Sequence, residues 1–205
     1  MSLPIFSFNY SAPENLSQVA DFLISLESEI LETYPFVSDF GTGLSESHII
    51  TRASAFNVFN FESRCLELSN IKAFISSKAR ELLPTIPRDY DTNQLNDDQP
   101  SINAWININR PGEGFARHRH SNQPWSVMSG TFVVRDNVCT TRYELDDVTE
   151  DYLNNDGRLS FFQSNLFHQI LENPSEQSRV AIGFDVFFNK KTINDLQLLM
   201  NVRDL

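Results

Sequence analysis

The segment Ser101-Ile-Asn-Ala-Trp-Ile-Asn-Ile-Asn109 alternates between apolar residues (Ile102, Ala104, Ile106, Ile108) and polar or aromatic ones (Asn103, Trp105, Asn107, Asn109). A period of two predicts a β-strand, because successive side chains of a strand point to opposite faces of a sheet. Further short strands are predicted at 115–120, 127–135, 138–145, 158–163, 167–172 and 178–188. Many short strands separated by turns indicate a mainly β fold, and the architecture we expect is a sandwich or a jelly-roll barrel.

The chain before this segment has a different character. Residues 13–32 and 67–83 place apolar side chains at helical spacing, so each stretch predicts a helix. Residues 48–60 are rich in β-branched and aromatic types and predict a strand. The stretch 88–100 is rich in Asp and Asn, which is typical of a surface loop.

We therefore expect a single domain over residues 1–205. Residues 1–100 would form a helical and strand support region, and 101–190 the β-helix core that carries the site. With 205 residues, of which 40 % are hydrophobic, the chain is long enough to bury one sizeable core.

The charge and the cysteines limit the classes of partner. The net charge of −11 repels phosphate backbones, so nucleic acid is not an expected partner. No apolar run reaches about 18 residues, so no membrane span is predicted. The N-terminus lacks a signal-peptide pattern, and the two distant cysteines, Cys65 and Cys139, need no disulfide. These features predict a cytoplasmic protein, and a homodimer is compatible with them.

Three of the four histidines have the spacing of metal ligands. His118 and His120 are two residues apart, so in a strand both would point to one face, and His168 lies 50 residues further along. A pair on an early strand and one ligand on a late strand would build a metal site in a β-barrel. Imidazole suits iron, copper, nickel and zinc alike, so the spacing does not choose the metal. The plain alternative is three structural or surface histidines.

Arg179 begins the apolar run Val180-Ala-Ile-Gly-Phe-Asp-Val-Phe-Phe188. An arginine on a core strand is costly to bury unless an anion pairs with it, and a guanidinium binds a carboxylate through two parallel hydrogen bonds. A bound carboxylic acid would be such a partner. The alternative is a surface arginine at the start of the strand.

The chain resembles the 2-oxoglutarate–Fe(II) oxygenase family found in bacteria and in phages of cyanobacteria. The resemblance runs from about residue 39 to residue 188 and is carried by Trp105-x-Asn107-x-x-x-x-Gly112, His118-x-His120, Ser129-Gly-Thr-Phe-Val133, Phe161-Phe162, His168 and Arg179-Val-Ala-Ile-Gly-Phe184. It implies a double-stranded β-helix with Fe(II) at the mouth of the barrel, 2-oxoglutarate as cosubstrate and dioxygen as oxidant.

The resemblance also implies roles for single residues. His118 and His168 would be metal ligands, and Arg179 would hold 2-oxoglutarate. His120 stands where the wider superfamily has an Asp or Glu ligand; it would be the third ligand, or an acid elsewhere or water would complete the set. Ala181 stands where a serine often follows the arginine, so Tyr143 or Ser129 would supply that hydrogen bond, and Asn107 would help to hold the cosubstrate. Trp105, Trp125 and Phe132 are candidates for the pocket wall, with plain core packing as the alternative. Asp185 shares a strand face with Arg179 and is a candidate acid behind the ligands, with a solvated or structural role as the alternative.

The implied activity is hydroxylation of a peptidyl residue or a small metabolite in the cytoplasm of a bacterium or of a phage-infected host. One alternative is a cupin-type dioxygenase with three histidines that does not use 2-oxoglutarate and so does not need Arg179. Another is a non-catalytic jelly-roll protein with a binding or structural role, which would not turn over 2-oxoglutarate.

Overall fold

The strands form two antiparallel sheets in the computed structural model, which describes residues 3–85, 101–120, 126–136, 138–187 and 203–204. The helices are α1 (Leu16–Ser25), α2 (Glu27–Thr33) and α3 (Leu66–Leu82). The strands are β1 (Phe6–Asn9), β2 (Ser101–Asn109), β3 (Phe115–His118), β4 (Ser126–Arg135), β5 (Thr140–Leu145), β6 (Val148–Leu153), β7 (Arg158–Phe162), β8 (Phe167–Ile170), β9 (Arg179–Phe187) and β10 (Arg203–Asp204). The predicted loop 88–100 and Trp125 lie outside the described residues.

The strand order is that of a jelly roll. The larger sheet runs β1-β7-β4-β9-β2-β10, and the smaller sheet runs β3-β8-β5-β6. Except in the β5–β6 hairpin, neighbours in each sheet come from distant parts of the chain, so most connections cross from one sheet to the other. The protein is therefore a double-stranded β-helix with N-terminal helices, and the expected fold class is confirmed.

Strand β2 is buried along its whole length and pairs with β9 from Ser101↔Phe187 to Asn109↔Arg179. Its apolar face packs in the main hydrophobic core together with residues of α1 and α3. Its other face carries the Asn and Trp side chains and points between the two sheets. The alternation in the sequence thus separates a face that packs against helices from a face that lines the inside of the barrel.

The two predicted helical regions are confirmed, with one interruption. In place of one helix over 13–32, α1 ends at Ser25 and α2 begins at Glu27. The break is at Leu26, whose N–H bonds to the carbonyl of Leu23 at 3.3 Å in a tighter turn than an α-helix makes. The buried residues of α1 join the core, as the helical spacing of the apolar side chains predicts; they are Leu16, Val19, Ala20 and Leu23.

The predicted strand at 48–60 is wrong. This stretch forms two 3₁₀ segments, Ile49–Arg52 and Val58–Arg64. Two polar side chains start them: His48 Nδ1 accepts from the N–H of Ile50 at 3.3 Å, and Asn57 Oδ1 accepts from the N–H of Phe59 at 3.1 Å. Because side-chain acceptors satisfy these backbone donors locally, the chain turns instead of extending. The apolar residues of the stretch are still buried.

The sequence did not reveal strands β1, β6 and β10. The sequence of β6, Val148-Thr-Glu-Asp-Tyr-Leu153, alternates only between half-buried and exposed positions, so it lacks the apolar period of a core strand. None of the described helices is long and apolar enough to cross a membrane.

Candidate metal centre

Three histidines converge between the sheets. His118, the last residue of β3, pairs in register with His168 of β8, and His120 follows two residues after His118. Each ring offers one nitrogen, and these three nitrogens lie within 4.8 Å of one another. The ring of His168 is centred 4.4 Å from that of His118 and 4.9 Å from that of His120. The structure thus brings together the three histidines that the spacing singled out.

Each of these rings is held at its Nδ1 atom by an acceptor. The acceptors are the carbonyl of Ala116 at 2.8 Å for His118, the carbonyl of Leu166 at 3.2 Å for His168, and Asp185 Oδ1 at 2.7 Å for His120. A carbonyl or carboxylate oxygen can only accept, so Nδ1 carries a proton in each ring, and Nε2 is the nitrogen left to bind a metal when the ring is neutral. This is the tautomer that binds a metal through Nε2.

Burial keeps two of the rings neutral. Desolvation, assisted by the neighbouring His120 ring, lowers the pKa of His118 to about 4. The same two causes, in the same order, lower the pKa of His168 well below its usual value. Metal binding requires unprotonated imidazole, so near neutral pH neither ring has to lose a proton before it can bind.

A cavity of about 320 Å³ opens in front of the histidines. Its wall includes Trp105 and Asn107 from β2, as well as Gly183 and Asp185 from β9. A Cβ atom on Gly183 would lie 2.6 Å from Trp105 Nε1 and 2.8 Å from Asn107 Nδ2. Gly183 is therefore the residue that lets these two side chains lie flat against β9 beside the cavity.

Two other candidates lie away from this cavity. Phe132 is on the opposite face of the larger sheet, where its ring packs edge-on against Tyr10 and Phe74, so its assignment to the pocket wall is wrong and core packing explains it. His48 is also outside the site, and its Nε2 lies 2.6 Å from the carbonyl oxygen of Ile108.

Tyr143 and Ser129 lie next to the histidines. Tyr143 pairs in register with His168, its ring stacks on that histidine with 6.0 Å between centroids, and burial raises the pKa of its phenol. Tyr143 therefore keeps its proton and can donate. Ser129 Oγ lies 2.5 Å from Asp185 Oδ1, so the serine hydroxyl is engaged within the protein.

Arg179 is buried at the opposite end of β9 from Asp185 and does not line the 320 Å³ cavity. Its Nη1 donates to Asn109 Oδ1 at 3.0 Å, and its Nε lies 3.0 Å from Asp136 Oδ2 in an ion pair that lacks hydrogen-bond alignment. The surface-arginine alternative is thus wrong, because the side chain is 2 % exposed. The anion that its burial requires is already present in the protein as Asp136.

The role of Asp136 was missed by the sequence reasoning. Its Oδ1 accepts from the backbone N–H groups of Val138 and Cys139, and its Oδ2 accepts from Asn154 Nδ2. The first two bonds are local, but the sequence does not show that Asp136 also meets Asn154 and Arg179, which lie far along the chain.

The sequence matches no protein-family profile and no curated protein sequence. Among solved structures it is similar to a prolyl-4-hydroxylase of Pseudomonas putida, with a TM-score of 0.51 and 14 % identity over 92 % of this chain and 90 % of that one. It also aligns with a 2OG-Fe(II) oxygenase family protein of Burkholderia pseudomallei (TM-score 0.40, 10 % identity, 44 % and 48 % of the two chains) and with an oxalate decarboxylase of Lactobacillus farciminis (TM-score 0.36, 17 % identity, 43 % and 24 %). At 14 % identity, the likeness over nearly the full length of both chains shows that this protein shares the fold of the prolyl-4-hydroxylase.

Proposed function

We propose that this protein is an Fe(II)- and 2-oxoglutarate-dependent oxygenase that hydroxylates a peptidyl residue or a small metabolite. The observation that carries the proposal is the convergence of three histidine rings, each held at Nδ1 by an acceptor, beside a cavity of about 320 Å³. The fold shared with a prolyl-4-hydroxylase supports it.

The donor set suits an iron ion. Imidazole nitrogen is a good ligand for Fe(II), and three protein ligands leave further coordination positions for small molecules. When bound, iron would supply the redox chemistry that activates dioxygen. The three histidines would hold it, and the cavity wall around Trp105 and Asn107 would orient the substrate and exclude water.

Unpaired donors near Arg179 suit the cosubstrate. Arg179 Nη2 and Asn109 Nδ2 are buried and have no hydrogen-bond partner among the described residues. The two residues face each other across the β2–β9 ladder. A carboxylate accepts from two N–H groups at once, so the distal carboxylate of 2-oxoglutarate would satisfy both. Tyr143 is buried and stays protonated, so its hydroxyl would be a third hydrogen-bond donor to the cosubstrate.

A second candidate is a three-histidine dioxygenase that does not use 2-oxoglutarate. The Arg179–Asp136 ion pair favours it, because Asp136 already neutralises the buried guanidinium. A dianionic cosubstrate would then have to bind beside an acid that is fixed by three hydrogen bonds.

The test is a titration of 2-oxoglutarate into the anaerobic protein loaded with Fe(II). Chelation by the 2-oxo acid gives a visible charge-transfer band, which we expect in the wild type and not in His118→Ala. Iron that binds without producing this band would favour the second candidate. Failure to bind iron would leave a non-catalytic jelly roll.

The same band measures the role of Arg179. Arg179→Ala alone would leave Asp136 buried without its partner, so the better variant is Asp136→Asn combined with Arg179→Met. We expect this pair to retain iron and to bind 2-oxoglutarate at least about tenfold more weakly, the loss of one charge-assisted contact. Arg142→Ala, which breaks an exposed pair with Asp151, is the control and should bind normally. Unchanged affinity in the double variant would show that Arg179 does not hold the cosubstrate.

A further inference from the structure

His120 is not placed by a strand. Strand β3 ends at His118, so the rule that residues two apart share a face does not fix the position of His120. Instead, the backbone N–H of His120 donates to the carbonyl of Ser164 at 3.0 Å, in the loop before β8. The position of His120 therefore depends on contacts with segments other than β3.

The ring of His120 is held by a carboxylate that receives two donors on one oxygen. Asp185 Oδ1 lies 2.7 Å from His120 Nδ1 and 2.5 Å from Ser129 Oγ. A carboxylate only accepts, so both the imidazole N–H and the serine O–H donate to it. Asp185 and Ser129 are directly paired in register on β9 and β4, which keeps their side chains adjacent.

A second serine completes a closed network of hydrogen bonds. Ser129 Oγ lies 2.8 Å from Ser164 Oγ. Ser129 is the donor in both contacts, so its single proton is shared between Asp185 Oδ1 and Ser164 Oγ. The contacts thus run from the His120 ring through Asp185, Ser129 and Ser164 back to the His120 backbone. Ser129 and Ser164 are buried, and His120 and Asp185 are nearly so.

This closed network of hydrogen bonds joins the two sheets. His118 and His168 belong to the smaller sheet, whereas Asp185 and Ser129 belong to the larger one. The other two histidines bond at Nδ1 to carbonyl groups of their own neighbourhood, two residues before each ring in the chain. Among the three, only His120 has a carboxylate as its partner.

We propose that Asp185 is a positioning residue that completes the metal centre without touching the metal. Imidazole ligands bring no negative charge to a metal, and Asp185 supplies one charge through a charge-assisted hydrogen bond to His120. It orients the ring, fixes Nε2 as the ligand atom and makes that atom a stronger donor. The inference rests on the metal centre of the proposed function but not on 2-oxoglutarate.

Co(II) is the probe for this role, since its binding can be titrated and each bound ring gives a shifted, exchangeable Nδ1–H proton signal in NMR spectra. Asp185→Asn keeps the shape and an acceptor oxygen but removes the charge. We expect Co(II) to bind about 10–100-fold more weakly and one of three N–H signals to move. That signal should be the one missing from His120→Ala.

Glu144→Gln is the matched control, because it also removes one negative charge, from strand β5 next to β8. Glu144 forms an ion pair with Arg117 and not with a histidine. Its Co(II) affinity should stay within about twofold of the wild type, the change expected of an exposed pair. The proposal is overturned if Asp185→Asn binds Co(II) normally, if all three signals move together, or if Glu144→Gln has the same effect. A wild type that binds no Co(II) would refute the metal centre itself, and with it the proposed function. Normal Co(II) results without the 2-oxoglutarate band would refute only the cosubstrate.

Discussion

His118 is partly buried and His168 is buried, and this burial sets the proton balance of the folded protein. Burial lowers the pKa of both rings, that of His118 to about 4. In the unfolded chain a histidine titrates near 6.5. Between these values the unfolded chain binds more protons than the folded protein, so protons favour unfolding.

We therefore expect the EDTA-treated protein to lose stability as the pH falls from about 6.5 to about 4. Because the His118 ring is partly exposed, we expect its share to be about 2 kcal/mol, less than the full shift would give. Urea unfolding at several pH values measures this. His118→Gln should show a weaker dependence in the same window; equal slopes in the two proteins would contradict the assignment.

Among single residues, the sequence could predict the histidines and offered Asp185 as a candidate acid behind them, but it could not predict which ring Asp185 contacts. The two-residue spacing of His118 and His120 correctly predicted that the two rings lie close together, although β3 ends at His118. The apolar run after Arg179 left a buried and a surface position open, and the structure shows that this residue is buried. The contacts of Asp136 and Asp185 depend on the register between strands that are far apart in the chain. No local pattern encodes that register, so the acid beside Arg179 could not be foreseen.

Among the secondary-structure elements, the two 3₁₀ segments after α2 show where residue composition predicted the wrong conformation. Residues 48–60 have the residue types of a strand, and most of them are buried. Their conformation was decided by His48 and Asn57, whose side chains bond to the backbone two residues later. Long strands such as β2 and β9 were predicted almost to the residue, because their period is clear and both of their faces are buried.

Asn57 should be the most sensitive position of this region. Its Nδ2 donates to the carbonyl of Ile102 at 2.9 Å, which ties the turn to β2, while its Oδ1 caps the second segment. Asn57→Ala removes both bonds in a buried place, and we expect a loss of about 2–3 kcal/mol. Asn70→Ala, on the exposed side of α3, should change stability by less than about 0.5 kcal/mol. The midpoints of denaturant-induced unfolding of the two variants test this expectation, and similar midpoints would contradict this role for Asn57.

The molecule as a whole should respond to metal. Two of the histidines belong to one sheet, and the third is tied to the other sheet through Asp185, so a bound ion would link both halves of the barrel. A ligand present at 100 times its Kd adds about 2.7 kcal/mol to the stability of the folded state. For a chain of this length we expect Co(II) to raise Tm by about 5–10 °C. EDTA should reverse the rise, and His168→Ala should show none; a rise in that variant would place the ion elsewhere.

The two faces of β2 have a consequence for laboratory evolution. Its even-numbered positions pack against the helices, and the side chains of Asn103, Trp105 and Asn107 line the cavity. A library that varies only these three positions would change the shape and polarity offered to a substrate and leave the helix-packed core untouched. A library at the even positions would mostly yield variants that fail to fold. One nine-residue stretch therefore separates the mutations through which this barrel can acquire new specificity from those that it cannot tolerate.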